Sequence, residues 1–178
     1  GKTSVALRSM VEEFLIEENH ILLLSYTNRA VDEICEMLES ITPLPPYLRI
    51  GGELSCEERF RPHLMKNNMQ QCCNRKEVQD TLLDIHIVVG TVSSISGHPE
   101  LFDLTHFDVA IIDESSQILE PQIMGILCAH RNGMCAIDKF ILIGDHKQLP
   151  AVVLQRTEES QVNDETLHAI GLTDCRNS

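Results

Sequence analysis

Apolar positions at Val5, Leu7, Met10, Val11, Phe14 and Leu15 return about every 3.6 residues and predict a helix from about Thr3 to Glu18. Asn19-His20 closes it. Ile21-Leu22-Leu23-Leu24 follows, too short to span a membrane but suited to a buried strand. Beyond the turn Ser25-Tyr26-Thr27-Asn28, Val31, Ile34 and Leu38 form the apolar side of a second helix, with Asp32, Glu33 and Glu36 on its polar side. Pro43, Pro45 and Pro46 end that helix. The pattern then weakens over approximately 43–79. Gly51-Gly52, mixed charge and Asn67-Asn68 mark this stretch as a variable inserted or surface segment, partly helical from Cys56 to Met69.

Three later runs, Ile85–Val89, Val109–Ile112 and Phe140–Ile143, read as further strands, apolar enough to be covered on both faces. Helical or irregular links separate them, including Pro121–Ala129, and Thr157–Thr166 reads as a solvated loop. Strands alternating with helices in this way predict an α/β fold with a mainly parallel sheet. No internal repeat is visible.

Composition narrows the class. A chain of 178 residues with 43% hydrophobic residues and 7 prolines suits one folded domain rather than a disordered one. Its formal charge of -13, from 14 basic and 27 acidic residues, argues against non-specific wrapping of nucleic acid. A local groove whose positive face comes from a partner domain is compatible with that balance. No run approaches the length of a membrane span and no N-terminal signal pattern is present, so an intracellular chain, cytoplasmic or nuclear, with no membrane partner is expected. The 7 cysteines, with Cys72-Cys73 adjacent, fit reduced thiols. Cys56, His63, Cys72 and Cys73 lack the paired C-x-x-C spacing of a zinc site.

Three strand ends carry candidate chemistry. Gly1-Lys2-Thr3 matches the close of G-x-x-x-x-G-K-[ST] and opens an amphipathic helix, whose N-terminal amides suit phosphate oxygens. In that pattern Lys2 reaches the β/γ-phosphates and Thr3 ligates Mg²⁺. Asp113 follows the apolar run Val109-Ala110-Ile111-Ile112, where a carboxylate can hold Mg²⁺ directly or through water, and Glu114 beside it can act as general base. Gly144-Asp145-x-x-Gln148-Leu149-Pro150 follows another apolar run, and the neutral amide of Gln148 can sense a γ-phosphate or its attacking water. Taken singly, each has a plainer reading: a terminal lysine, a capped acidic turn, a turn stiffened by Pro150. Together, in this order, they predict hydrolysis of ATP or another nucleoside triphosphate.

Assembled, these residues resemble the first motor domain of a superfamily 1 helicase. The branch they resemble contains the nonsense-mediated-decay RNA helicase and the Okazaki-fragment-processing helicase-nuclease. Ser25-Tyr26-Thr27-Asn28-Arg29-Ala30-Val31-Asp32 resembles the family's first strand-binding motif, and Gly90-Thr91-Val92-Ser93-Ser94 the second. Asp113-Glu114-Ser115-Ser116-Gln117 resembles its acidic motor motif, and Gly144–Pro150 its coupling motif.

The resemblance implies a P-loop NTPase, RecA-like domain over 1–178, truncated within the phosphate-binding loop. It implies ATP and Mg²⁺ as cofactors, with Gly1, Lys2, Thr3, Asp113 and Gln148 around the nucleotide. It also implies that Thr27, Asn28, Thr91 and Ser93 approach the sugar-phosphate backbone of single-stranded DNA or RNA. Capping and turn formation compete for those four residues. A second RecA-like domain of the same protein would complete the ATP cleft, so the chain alone is expected to be inactive. A strand is also expected ahead of Gly1, inside the sheet. The competing functions are a non-enzymatic nucleic-acid-binding adaptor and another P-loop phosphoryl-transfer enzyme.

Overall fold

The computed structural model describes residues 2–145, 151–152 and 156–174. The chain runs through α1 (Lys2–Ile16), β1 (Ile21–Ser25), α2 (Asn28–Glu39) and β2 (Tyr47–Ile50). Short helices α3 (Met65–Asn68) and α4 (Arg75–Asp84) lead to β3 (Ile87–Thr91), and α5 (Val92–Ser96) and α6 (Glu100–Leu104) lead to β4 (Phe107–Ile112). Then come α7 (Glu120–Leu127), a hairpin of β5 (His130–Arg131) and β6 (Met134–Cys135), and β7 (Ile137–Leu142). Two short helices follow: α8 (Thr157–Ser160) lies in the stretch expected to be loop, and α9 (Glu165–Ala169) begins at its end.

The main sheet has the order β2-β3-β1-β4-β7, and every pair in it is parallel. The side-chain period of two distributes the strand residues between two apolar layers. Leu22, Leu24, Val88, Ala110 and Ile112 face one layer with Val92, Ile95, Phe102 and Ile126. Ile21, Leu23, Ile87, Val89, Val109 and Ile111 face the other with Leu7, Val11, Val31, Ile34 and Leu38. Helices on both faces of a parallel sheet make the RecA-like α/β arrangement expected from the strand–helix alternation.

Several boundaries differ from the sequence reading. The first helix stops at Ile16, and Glu18 takes a left-handed backbone (φ 57°) in the turn to β1. Val5 lies off the buried stripe and is exposed, while Leu7 and Val11 are buried. The run at 85–89 pairs two residues later, over Ile87–Thr91, because Ile87 registers with Ile21. Within the stretch expected to be surface, Tyr47–Ile50 is a fully buried strand, and Phe60 and Leu64 are also core residues.

Asp32, placed on the polar side of α2, is buried as well. Arg49 on β2, 1% exposed, lies with Nη1 2.5 Å from Asp32 Oδ1. Arg49 Nη2 donates to the Ser55 carbonyl (3.2 Å), and the Glu57 amide donates to Asp32 Oδ2 (3.3 Å). The two charges and their hydrogen bonds tie α2, β2 and the following loop together. β7 departs from the expected double coverage: only Ile137 in it is buried and Leu142 is 60% exposed.

Candidate nucleotide and strand-binding site

In a parallel sheet all carboxyl ends lie along one edge, and the loops leaving them share one rim. That rim collects Ser25 at the end of β1, Thr91 at the end of β3 with Ser93 just beyond it, Asp113-Glu114 after β4, and Gly144-Asp145 after β7. α1 returns to the amino end of β1 through the turn at 17–20, so its first residue lies about 22 Å away, toward the carboxyl rim. Lys2 and Thr3 therefore have their backbone in the first helical turn at that end. Their side chains, Gly1 and Gln148 lie outside the described residues.

The acidic pair is held from both neighbouring strands. The Asp113 amide donates to the Leu24 carbonyl (2.8 Å), and the Ser115 amide and hydroxyl both donate to the Ile143 carbonyl (2.9 and 3.0 Å). Glu114 takes a left-handed backbone (φ 54°, ψ 33°), and its amide donates to Asp113 Oδ1 (2.9 Å). Ser25, fully buried at the end of β1, donates its hydroxyl to Glu114 Oε2 (3.4 Å). Sequence reasoning left Ser25 as a turn residue. Its signal was a single hydroxyl closing an otherwise apolar run.

Burial pushes the Asp113 carboxyl above the ordinary carboxylate value. The Glu114 amide opposes that rise, while the charge of Glu33 on α2 adds to it. Burial also raises Glu114, reinforced by the charge of Asp113 and, more weakly, by Glu33, with the Ser25 hydroxyl opposing. Acid groups held partly desolvated against one another make an oxygen-rich, anionic rim that suits a hard divalent cation.

Burial of Asp113 makes its contribution to stability depend on pH. With its folded-state pKa raised, the stabilising contribution is full below the ordinary carboxylate value and is lost as pH rises. Asp113→Asn should therefore raise the melting temperature of the nucleotide-free protein at neutral pH by roughly 1–3 °C. That gain should shrink toward acid pH, as followed by thermal melting.

Gly144 brings β7 against the acidic loop. A Cβ there would sit 2.7 Å from Ser115 Oγ and 3.0 Å from the Ser116 amide. Gly144→Ala must push the loop after Asp113-Glu114 aside, at a cost of about 1–3 kcal/mol. We expect thermal melting of Gly144→Ala to fall by roughly 2–12 °C.

The nucleic-acid candidates divide by their surroundings. Thr27 caps α2, its Oγ1 accepting from the Ala30 amide (3.1 Å), and Thr27 and Asn28 are exposed. Thr91 caps α5, its hydroxyl accepting from the Ser94 amide (3.0 Å) and bonding Ser94 Oγ (2.7 Å), and it is only 5% exposed. Ser93 is exposed beside it. Ends of β1 and β3 place both segments on the same rim, since these strands are hydrogen-bonded neighbours.

The fold and its acidic strand end define the class: a RecA-like P-loop NTPase domain. Residues 63–156, more than half of the chain, match the family described as AAA domain. The chain belongs to that family, and the resemblance to the superfamily 1 helicase branch read from its motifs holds. It is 32% identical over 83% of its length to the DNA replication ATP-dependent helicase/nuclease DNA2 of Bos taurus, of which the match covers 13%. With the DNA replication ATP-dependent helicase/nuclease JHS1 of Arabidopsis thaliana it shares 35% identity over 89% of this chain and 11% of that protein. With the DNA polymerase alpha-associated DNA helicase A of Saccharomyces cerevisiae it shares 27% identity over 92% of this chain and 31% of that protein. The chain thus spans a small fraction of the proteins it is similar to.

Proposed function

We propose that this chain supplies one lobe of an ATP-dependent DNA helicase and part of its single-strand track. The reading rests chiefly on one observation: the acidic pair after β4 lies at the same rim as the polar segments at the ends of β1 and β3. ATP is the nucleotide and Mg²⁺ its ion, with Gly1, Lys2, Thr3, Asp113 and Gln148 grouped around them. A bound Mg²⁺ neutralises phosphate charge in such sites.

Lys2 holds phosphate, and Thr3 and Asp113 hold the ion. Glu114, its pKa raised by burial and by Asp113, accepts a proton from the attacking water, and Ser25 aims its carboxylate. Gln148 links the nucleotide to the strand side.

Thr27, Asn28 and Ser93 approach the sugar-phosphate backbone of one strand. The Thr91 hydroxyl, spent on its cap, acts there by ordering the turn that presents Ser93 and nearby amides. DNA is favoured over RNA because the relatives carry DNA in their names. A second RecA-like lobe of the same protein closes the cleft, and closure moves the strand. Among the described residues no helix is long and apolar enough to cross a membrane. The proposed setting is intracellular, where DNA is processed.

Strand-stimulated turnover tests this reading. The complete protein should hydrolyse ATP with Mg²⁺ faster when single-stranded DNA is added, and RNA of the same length should stimulate less. Strand binding without turnover would instead identify an adaptor, and phosphorylation of a small substrate another phosphoryl-transfer enzyme.

A further inference from the structure

The opposite edge of the sheet, where strands begin, carries a second polar cluster. His106 immediately precedes β4, Asp108 lies within it, and Asp138 lies near the start of β7. Phe107 registers with Ile137 and Val109 with Lys139, so Asp108 and Asp138 stand opposite each other on adjacent parallel strands. His106 shares their face of the sheet, two residues before Asp108. One ligating atom from each of the three lies within 4.8 Å of the others.

Like charges directly across two strands oppose pairing. The protein answers part of that repulsion: His106 Nε2 lies 3.1 Å from Asp138 Oδ2, and the His20 amide donates to Asp108 Oδ2 (2.7 Å). Each of those contacts uses one oxygen of its carboxylate. His106 and Asp138 also line an open pocket of about 370 Å³ together with Arg131, Met134 and exposed Cys135.

We infer that His106, Asp108 and Asp138 form a binding site for a divalent transition-metal ion of the zinc type, apart from the nucleotide rim. The donor set argues for the metal class. One imidazole and two carboxylates balance a doubly charged ion, and imidazole favours zinc-like ions over magnesium. At zinc–ligand distances of about 2.0–2.2 Å, tetrahedral ligands sit roughly 3.4 Å apart. The His106–Asp138 contact, at 3.1 Å, is near that spacing, and Asp108 must close by up to about 1.4 Å, within reach of a side-chain adjustment. The fourth position opens to the pocket, where water completes the shell. Asp113 lies five residues along β4 from Asp108, roughly 16 Å away, so this ion is distinct from a nucleotide-bound Mg²⁺. Bound there, it would clasp β7 to β4.

Zinc titration of the complete protein, stripped with chelator and followed by calorimetry in excess Mg²⁺, tests the site. Wild-type protein should take up one more tight Zn²⁺ equivalent than Asp138→Asn, with affinity at the site lowered at least tenfold by His106→Gln. Zn²⁺ should raise the melting temperature of wild type and leave Asp138→Asn unmoved. Equal zinc stoichiometry in folded wild type and variants would overturn the assignment and leave His106–Asp138 an ordinary ion pair. Should Asp138→Asn fold poorly, His106→Gln carries the same comparison.

Discussion

Glu114→Gln in the complete protein is expected to lower ATP turnover by about 10²–10⁴-fold while ATP with Mg²⁺ still binds. The substitution keeps the size of the side chain and its reach to Ser25 Oγ, and removes the one property a general base needs. Binding persists because Asp113, not Glu114, is assigned the ion. The same change relieves repulsion between the adjacent carboxylates, so nucleotide-free Glu114→Gln should melt no lower than wild type. Single-turnover hydrolysis measured beside nucleotide binding separates the outcomes. Turnover within threefold of wild type would remove Glu114 from the chemistry, and a parallel loss of binding would make it a ligand to the ion instead.

Arg49→Met is expected to cost about 3–5 kcal/mol of stability, enough to lower the melting temperature by on the order of 10 °C. Arg49 is 1% exposed and holds Asp32 across the α2–β2 boundary, and its loss leaves a carboxylate largely out of water. Burial already pushes the Asp32 carboxyl above its ordinary value, with the Arg49 guanidinium opposing. Without that opposition the value rises further. A raised value means stability present in acid and lost as pH rises, so the deficit of Arg49→Met should widen from acid to neutral pH. The double variant Arg49→Met with Asp32→Leu should recover most of the loss, since no charge is then stranded. A deficit that ignores pH, or survives in the double variant, would show that Arg49 matters for its packing volume rather than its charge.

This pair also shows where sequence pattern stops being informative. Asp32 sits beside Glu33 and Glu36 on a helix, and composition gives no hint that one of three acids turns inward. Its partner lies 17 positions on, within Tyr47-Leu48-Arg49-Ile50, where an arginine between prolines and paired glycines disguises a buried strand. β3 was legible as an apolar run, but its register is fixed by pairing of Ile87 with Ile21, a long-range fact. The start of β7 was not legible, because Asp138 and Lys139, on opposite faces and both exposed, interrupt the apolar run.

The acidic pair read clearly, since an apolar run ending in two carboxylates is a local signature. Its supports did not, because Ser25 and Gly144 reach Glu114 and Ser115 from strands distant in the chain. His63 stacks on the Tyr47 ring (3.9 Å between centroids), and Cys72 contacts Thr81 and Met69.

The backbone at Glu114 has a bearing on how this sequence can drift. A glutamate at φ 54° occupies a conformation in which asparagine or glycine rests more comfortably. Selection for heat resistance alone should therefore enrich those two residues at position 114, trading catalysis for ease of folding. A library sorted by survival and then by turnover would separate the two pressures at this single codon.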